Sequence, residues 1–378
     1  MKAQRRLGLA VGWLPLTVVF LIDVAIMVLV SNWPGTWRPD IAWWVGIGVA
    51  AVLALMVLLA VRGVSLSTLV GRWVRNFFTK VEPKLAAGRT AAIDHHRRYG
   101  HATVGVREYR GGLVAVVAVA TPVEAAAGRH SRPDSADAAD LPVQVIADGL
   151  QQFDVHLDEI DILTVATTDA DTTAGRPGAW LVLRMNPQSN VGAIAVRDSV
   201  ASTVAAAAER IADDLGRRRF DAWPLTADEI GELDTLVLAG LQPADSRVRL
   251  RFIKQRRDAK TFSYVTSFWV SPKDIDVETF DQLAESDTDA TVVTVRLRQR
   301  HGEVQVSAWV RQHSADRLAK KAWKGLNRLT GQQLRAVSAS LPVPSRTLTL
   351  PSRALGRDED LSVPLHLLET PSTVEAGQ

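Results

Sequence analysis

Cysteine is absent from all 378 residues. Disulfides, thiolate metal sites and cysteine nucleophiles are therefore excluded, and the chain fits a reducing compartment. Catalytic signatures are missing too. There is no G-x-x-x-x-G-K-[ST], no strand-linked G-x-G-x-x-G, no G-x-S-x-G and no H-E-x-x-H, so nucleotide-binding and hydrolase readings lose their usual support. Lysine is scarce, nine residues against 35 arginines, a bias that with abundant alanine points to a GC-rich coding sequence. The net charge of +3 and pI near 9.3 come largely from one cluster beside an apolar segment. That placement suits anionic lipid headgroups and gives no reason to invoke nucleic acid.

Two apolar runs stand at the N-terminus, Val11 to Val30 and Ile41 to Val61. About 20 helical residues reach across the roughly 30 Å hydrocarbon core of a bilayer. The stretch between them, Ser31 to Asp40, carries the turn formers Asn32, Pro34, Gly35 and Pro39, with Trp33, Trp37, Trp43 and Trp44 around it. The pair reads as a transmembrane hairpin with aromatic interface anchors. Lys2, Arg5 and Arg6 precede it, and eight bases from Arg62 to Arg98 follow against only Glu82 and Asp94. By the positive-inside rule both termini face the cytoplasm. A cleaved signal peptide is the competing reading of the first run, but its apolar stretch is too long and a second span follows at once.

The expected organisation is a hairpin over residues 1–64, a basic juxtamembrane linker over 65–98, a cytoplasmic domain over 99–340 and a Pro-rich tail over 341–378. Thr103 to Arg107 and Leu113 to Val119 flank Arg110-Gly111-Gly112 and predict a β-hairpin. Residues 121–140 predict a flexible loop, followed by a short helix near Val143 to Phe153 and strands near Ile160 to Thr167 and Ala179 to Met185. Helical spacing predicts a helix over Asp198 to Leu215, and Thr226 with Glu229 forms a capping box that opens another, Ala227 to Leu241. Alternation marks Val248, Leu250 and Phe252, then Phe262 to Val270, and a hairpin around His301-Gly302. A last helix is expected over Ser314 to Leu329. Hairpin, helix, two strands and helix thus recur twice, which allows an internal duplication. The fold class is a membrane-anchored α/β protein with a mixed sheet.

Asp23 is the only ionisable residue within either span. A carboxylate there costs roughly 2.5 to 3.5 kcal/mol on insertion scales, so it is expected to pack against another subunit's helix, with snorkelling as the bland alternative. Asp94, His95, His96 and His101 make the only histidine cluster, a poor metal site beside Arg97 and Arg98. Asp169-Ala170-Asp171 and Asp287-Thr288-Asp289 match the carboxylate pairs that hold a divalent ion in nucleotide-sugar transferases, though solvated turns explain them as well. Arg317, Lys320, Lys321, Lys324 and Arg328 form a basic stripe on the expected last helix, a candidate for docking anionic lipid or an acidic partner. No catalytic residue, metal ligand or cofactor site is assigned.

Taken together, the basic N-terminus, the helical hairpin, Ala92-Ile93-Asp94-His95-His96-Arg97-Arg98-Tyr99-Gly100, Thr103-Val104-Gly105-Val106-Arg107-Glu108-Tyr109 and Gly111-Gly112-Leu113-Val114 resemble EccE, the membrane component of the mycobacterial type VII (ESX) secretion machinery. The resemblance covers both spans and the start of the following domain. It implies a non-enzymatic structural subunit of a multimeric inner-membrane complex with EccB, EccC and EccD, in which EccC carries the ATPase, and with the mycosin protease as a further partner. The ESX-5 branch is the one it favours. The alternatives from other classes are a membrane-anchored glycosyltransferase-like enzyme using an Asp-x-Asp pair and a lipid-binding adaptor.

Overall fold

The N-terminal apolar runs form two helices, α1 (Trp13–Ser31) and α2 (Pro39–Leu58). They meet where α2 has no side chain: a Cβ on Gly46 would stand 2.5 Å from Val30 Cγ2, so glycine permits the close approach. Leu7–Leu9 pairs with Leu59–Val61, which pairs with Val64–Ser65, bringing the two ends of the helix pair together. No single helix among the described residues is long and apolar enough to cross a membrane; the shorter apolar helices are Val19–Ser31 and Trp43–Leu55. The computed structural model describes residues 7–9, 13–32, 39–61, 64–65, 71, 79–86, 90–97, 102–120, 140–167, 178–286, 288–318, 325–345 and 347–365. It divides into two units, residues 1–79 and 80–378.

The second unit is built on a sheet whose strands are β1 (Ile93–His96), β2 (Thr103–Tyr109), β3 (Gly112–Ala120), β4 (Glu159–Thr167), β5 (Ala179–Met185), β6 (Asp221–Pro224), β7 (Ser246–Val248), β8 (Ile253–Arg256), β9 (Phe262–Val270), β10 (Ala290–Arg300), β11 (Glu303–Ser314), β12 (Leu326–Arg328) and β13 (Arg353–Ala354). The spatial order is β7-β8-β9-β11-β10-β4-β5-β3-β2-β1, with β6 on β3, β12 on β9 and β13 on β11. Every ladder among the described residues is antiparallel. This corrects the expected mixed sheet. The crossovers from β3 to β4 and from β9 to β10 do join strands of like direction, but β5 and β11 insert between them and pair with both.

Read outward from the β4–β10 ladder, the two halves carry the same connections. One row of paired residues crosses the sheet as Ala118, Trp180, Leu163, Thr294, Trp309 and Trp269. Ala179-Trp180 and Ala308-Trp309 thus occupy corresponding places on either side of the central pair. Leu225 N donates to Val116 O at 2.8 Å and Leu329 N donates to Ser267 O at 3.0 Å, each just after the short outer strand of its half.

Helices α3 (Val81–Ala86), α4 (Val143–Asp148), α5 (Val191–Ala195), α6 (Val200–Arg217), α7 (Ala227–Leu238), α8 (Val277–Ala284) and α9 (Gln333–Ala339) complete the unit. One face of the sheet buries Val117, Leu181, Val295 and Phe268 against α4, α6 and α8; the other buries Val116, Val182, Val265 and Val292 against α3, α7 and α9. α6 starts at its N-cap Ser199, which accepts from Ser202 N, and lays Val204, Ala208, Ile211 and Leu215 on the sheet. α7 has the expected capping box: Thr226 N donates to Glu229 Oε2 at 2.7 Å and Glu229 N to Thr226 Oγ1 at 3.4 Å.

Several boundaries differ from those read off the sequence. The helix expected to reach Phe153 stops at Asp148, because Gln151–Gln152 and Val155–His156 turn into a small hairpin. The alternation through Val248, Leu250 and Phe252 is interrupted by a turn closed by Arg249 N to Phe252 O at 2.8 Å. No helix spans Ser314 to Leu329: β11 runs through Ser314 and Leu326–Arg328 is a strand on β9, with residues 319–324 outside the described ones. Of the expected flexible loop, residues 121–140, all but Asp140 lie outside the described residues, and Asp140 opens a short strand. The Pro-rich stretch from 341 to 365 is irregular yet packed, with Leu341, Val343, Leu348, Leu361, Val363 and Leu365 buried and Ser362–Pro364 paired with Asp140–Pro142.

Gly105 tests how α7 is seated. Its N–H donates to Leu225 O at 2.7 Å, and a Cβ there would lie 2.5 Å from the Thr226 carbonyl carbon. Gly105→Val is expected to destabilise the chain by about 1–3 kcal/mol through overpacking. A thermal midpoint equal to wild type would refute this close approach.

Candidate functional site

The residues carrying the sequence resemblance act as a clamp. Successive residues of β1 point to opposite faces of the sheet, and they reach different helices. Asp94 Oδ1 accepts from Ala227 N at 2.7 Å, adding a carboxylate to the first turn of α7. His95 Nε2 meets Ser202 Oγ at 2.9 Å and Arg97 pairs with Glu209, both on α6. On the neighbouring strand, buried Arg107 donates to Asp234 of α7 at 2.7 Å. No group of three or more His, Asp or Glu among the described residues could hold a metal, and His101 lies outside them.

At the centre of the sheet Asp161 is fully buried between two arginines. Arg184 Nη1 donates to Oδ2 at 2.6 Å, and Arg296 donates from Nε and Nη2 to both oxygens at 2.7 and 2.8 Å. Burial pushes the Asp161 carboxyl up, but Arg184 and Arg296 outweigh it and hold the group below the usual carboxylate range. Glu159 lies 3.2 Å from Arg296 Nε. The guanidiniums stack on aromatic rings, Arg184 at 5.7 Å from the Tyr109 centroid and Arg296 at 5.0 Å from that of Trp309, and donate onward to Pro342 O and Leu348 O. The arrangement stacks three strands and the C-terminal segment together and leaves no open side for a substrate.

Arg311 and His313 of β11 are buried on the same face. Arg311 donates to Val237 O near the C-terminus of α7, where a cation complements the helix dipole. Burial alone brings its pKa down to about 9. Burial, then Arg311 and Arg257, push the His313 imidazole well below its ordinary value of 6.5.

Of the basic stripe, Arg317 and Arg328 are described, and Lys320, Lys321 and Lys324 lie outside the described residues. The two arginines are not on one helical face. Arg328 stands over the Phe268 ring. Arg317 joins a group that the expected helix had hidden: its guanidinium covers Phe252 and Tyr264 at 5.2 and 5.5 Å, and with Arg249, Arg251 and Lys254 it lines a pocket of about 400 Å3 at the β7–β8 edge. The alternation of arginines in Arg247-Val248-Arg249-Leu250-Arg251 was the available signal. Asp169, Asp171 and Asp287 lie outside the described residues, and Asp289 pairs with Arg257 at 3.1 Å. Asp23 is half-buried, and its Oδ1 has no hydrogen-bond partner among the described residues.

The buried charges described above are held by one another and by backbone groups inside the sheet unit. A family model described as "Putative type VII ESX secretion system translocon, EccE" matches residues 173–270. The chain is 46% identical to the ESX-5 secretion system protein EccE5 of Mycobacterium tuberculosis (strain ATCC 25618 / H37Rv), over 97% of both chains. It is 44% identical to EccE5 of Mycobacterium marinum (strain ATCC BAA-535 / M), over 97% of this chain and 96% of that one. The chain belongs to the EccE family, and with it to the components of the type VII ESX secretion system.

Two outcomes follow from these buried charges. Asp161→Ala strands two guanidiniums in the interior and is expected to cost about 3–5 kcal/mol, read as a loss of thermal midpoint; a loss within scan error would contradict the central role of the pair. His313 stays neutral when folded but takes a proton near pH 6.5 when unfolded. Its contribution is therefore full above that pH and lost below it, by up to about 1.4 kcal/mol per pH unit. Midpoints measured between about pH 8 and 5.5 should fall on the acid side in wild type and flatten in His313→Gln; parallel curves would remove the assignment.

Proposed function

We propose that the chain is a non-catalytic structural subunit of the ESX inner-membrane complex, anchored by the α1–α2 hairpin with both termini and the sheet unit on the cytoplasmic side. The observation that carries this is the surface of the helix pair. Phe20, Leu21 and Leu29 on α1 and Trp44 and Leu55 on α2 are all more than half exposed, an apolar surface that water does not tolerate and lipid or neighbouring helices cover. The helical ranges of 19 and 20 residues approach the roughly 30 Å of a hydrocarbon core, while the apolar helices described within them, Val19–Ser31 and Trp43–Leu55, are shorter. Pairing of Leu7–Leu9 with Leu59–Val61 supports a hairpin whose two ends share one side, and the bases of the flanking sequence favour the cytoplasm as that side.

The partners assigned by this reading are EccB, EccC and EccD, with the mycosin protease as a further one, and Asp23 is the residue placed against a partner helix. Polar contacts between membrane helices average about 0.6 kcal/mol with a maximum near 1.7. Asp23→Leu should therefore leave insertion intact and weaken retention with these subunits partially, seen on native gels over a detergent series. Retention equal to wild type throughout would leave snorkelling as the account of Asp23. For the topology, a cysteine at Gly35 should react with a membrane-impermeant thiol reagent and one at Gln378 should not; the reverse pattern sinks it. A glycosyltransferase would need an Asp-x-Asp pair free for a divalent ion, whereas Asp289 is engaged by Arg257.

The sheet unit is further read as an internal duplication. Its support is the matched strand order about β4–β10, the paired Ala-Trp positions, and Leu225-Thr226-x-x-Glu229 opposite Leu329-Thr330-x-x-Gln333. Self-alignment of EccE sequences in this frame should score above shuffled controls, and a score within the shuffled range would remove the duplication.

A further inference from the structure

Residues 247–260 carry seven bases, Arg247, Arg249, Arg251, Lys254, Arg256, Arg257 and Lys260, against Asp258 alone. Four cations converge on the edge pocket: Arg249, Arg251, Lys254 and Arg317. Arg257 meets Asp289, but among the described residues none of these four has a carboxylate in ion-pair contact. Phe252 lines the pocket and two further rings stand beside its cations. Phe252 and Tyr264 meet edge to face at 5.3 Å, Arg317 lies over both, and Lys254 Nζ stands 3.3 Å from the Phe262 centroid. The rings thus lie against the cationic heads themselves, the Arg317 guanidinium and the Lys254 ammonium, and fix where they stand. The turn that carries Arg249 and Arg251 is pinned by Gly331 N donating to Leu250 O at 2.6 Å, so the cations converge on a fixed backbone.

We propose that this edge pocket, Arg249, Arg251, Lys254 and Arg317 around Phe252 and Tyr264, docks the phosphodiester headgroup of anionic phospholipid. The proposal rests on the membrane-anchored reading above. Uncompensated like charges gathered in one pocket call for an anion, and their place in the chain points to lipid. Lys80, the first residue of the sheet unit, bridges to Arg247 on this same edge. The sequence that leads there from α2, residues 62–79, contains Arg62, Arg72 and Arg75 and no acid. Lys320, Lys321 and Lys324, just beyond Arg317, add three more bases in sequence and no acid. Bases beside an anionic bilayer surface are each worth about a fivefold change in membrane affinity.

The test uses the full chain in nanodiscs of phosphatidylcholine alone and of phosphatidylcholine with one third phosphatidylglycerol, followed by hydrogen exchange. Amides of residues 249–256 should exchange at least about fivefold more slowly in the anionic discs. Inorganic phosphate added to neutral discs should not reproduce the effect. The variant with Arg249, Arg251, Lys254 and Arg317 all replaced by Gln should lose it, and one with the three arginines replaced by Lys should keep it. Equal exchange in both discs, or slowing that persists in the Gln variant, overturns the proposal. So does slowing by phosphate alone, or slowing that requires partner subunits whatever the lipid, which would mark an acidic protein surface as occupant. Failure of the anchoring reading is distinct: the chain would not enter discs, and α1 and α2 amides would exchange freely. Dihexanoyl phosphatidylglycerol titrated onto the detergent-purified chain then still decides the pocket.

Discussion

The sheet closes on Asp161. β4 and β10 come from halves of the chain more than 120 residues apart, with Asp161 opposite Arg296, and their ladder joins the two halves of the ten-strand path. A carboxylate buried at that position demands donors, and Arg184 and Arg296 supply them with three bonds of 2.6 to 2.8 Å. A slip of one residue would turn Asp161 to the opposite face and leave all three charges unpaired. The pair therefore specifies register, where a hydrophobic row alone would tolerate neighbouring alignments.

The same logic explains the family's sequence marker. The spacing of its residues is that of a strand serving two faces. Asp94 reaches α7, His95 and Arg97 reach α6, and Gly105 is bare because the start of α7 rests on it. A histidine followed by another histidine looks like a broken metal site in sequence. On an edge strand it is one residue per face. The helices over which the clamp closes are attached by these edge contacts, by the buried Arg107–Asp234 pair and by the apolar stripe beneath.

Local signals in the sequence were sound where the forces are local. The Arg110-Gly111 turn, the capping box at Thr226 and the apolar spacing of α6 all depend on residues within four positions of one another, and each stands where the pattern placed it. Patterns broke where a distant strand decides. Arg317 to Arg328 has acceptable helical spacing, yet β9 offers an open edge, and pairing Phe268 with Arg328 satisfies backbone groups that an exposed short helix would leave to water. The antiparallel character was hidden for a similar reason: the crossovers β3 to β4 and β9 to β10 carry the sequence signature of parallel neighbours, and only the insertion of β5 and β11 cancels it.

The β7–β8 edge shows how one feature meets two demands. An edge strand offers unpaired backbone groups to any passing strand, and arginine and lysine along it discourage such pairing. Charge spread evenly would suffice for that. Here the cations are instead gathered: Arg317 arrives from the far end of β11 to join Arg249, Arg251 and Lys254, and aromatic rings from β9 and the adjoining turn underlie them. Concentrating like charge raises the energy of the folded chain in the absence of an anion. Edge protection accounts for the bases being present, and a counter-charge from outside the sheet accounts for their convergence on one pocket.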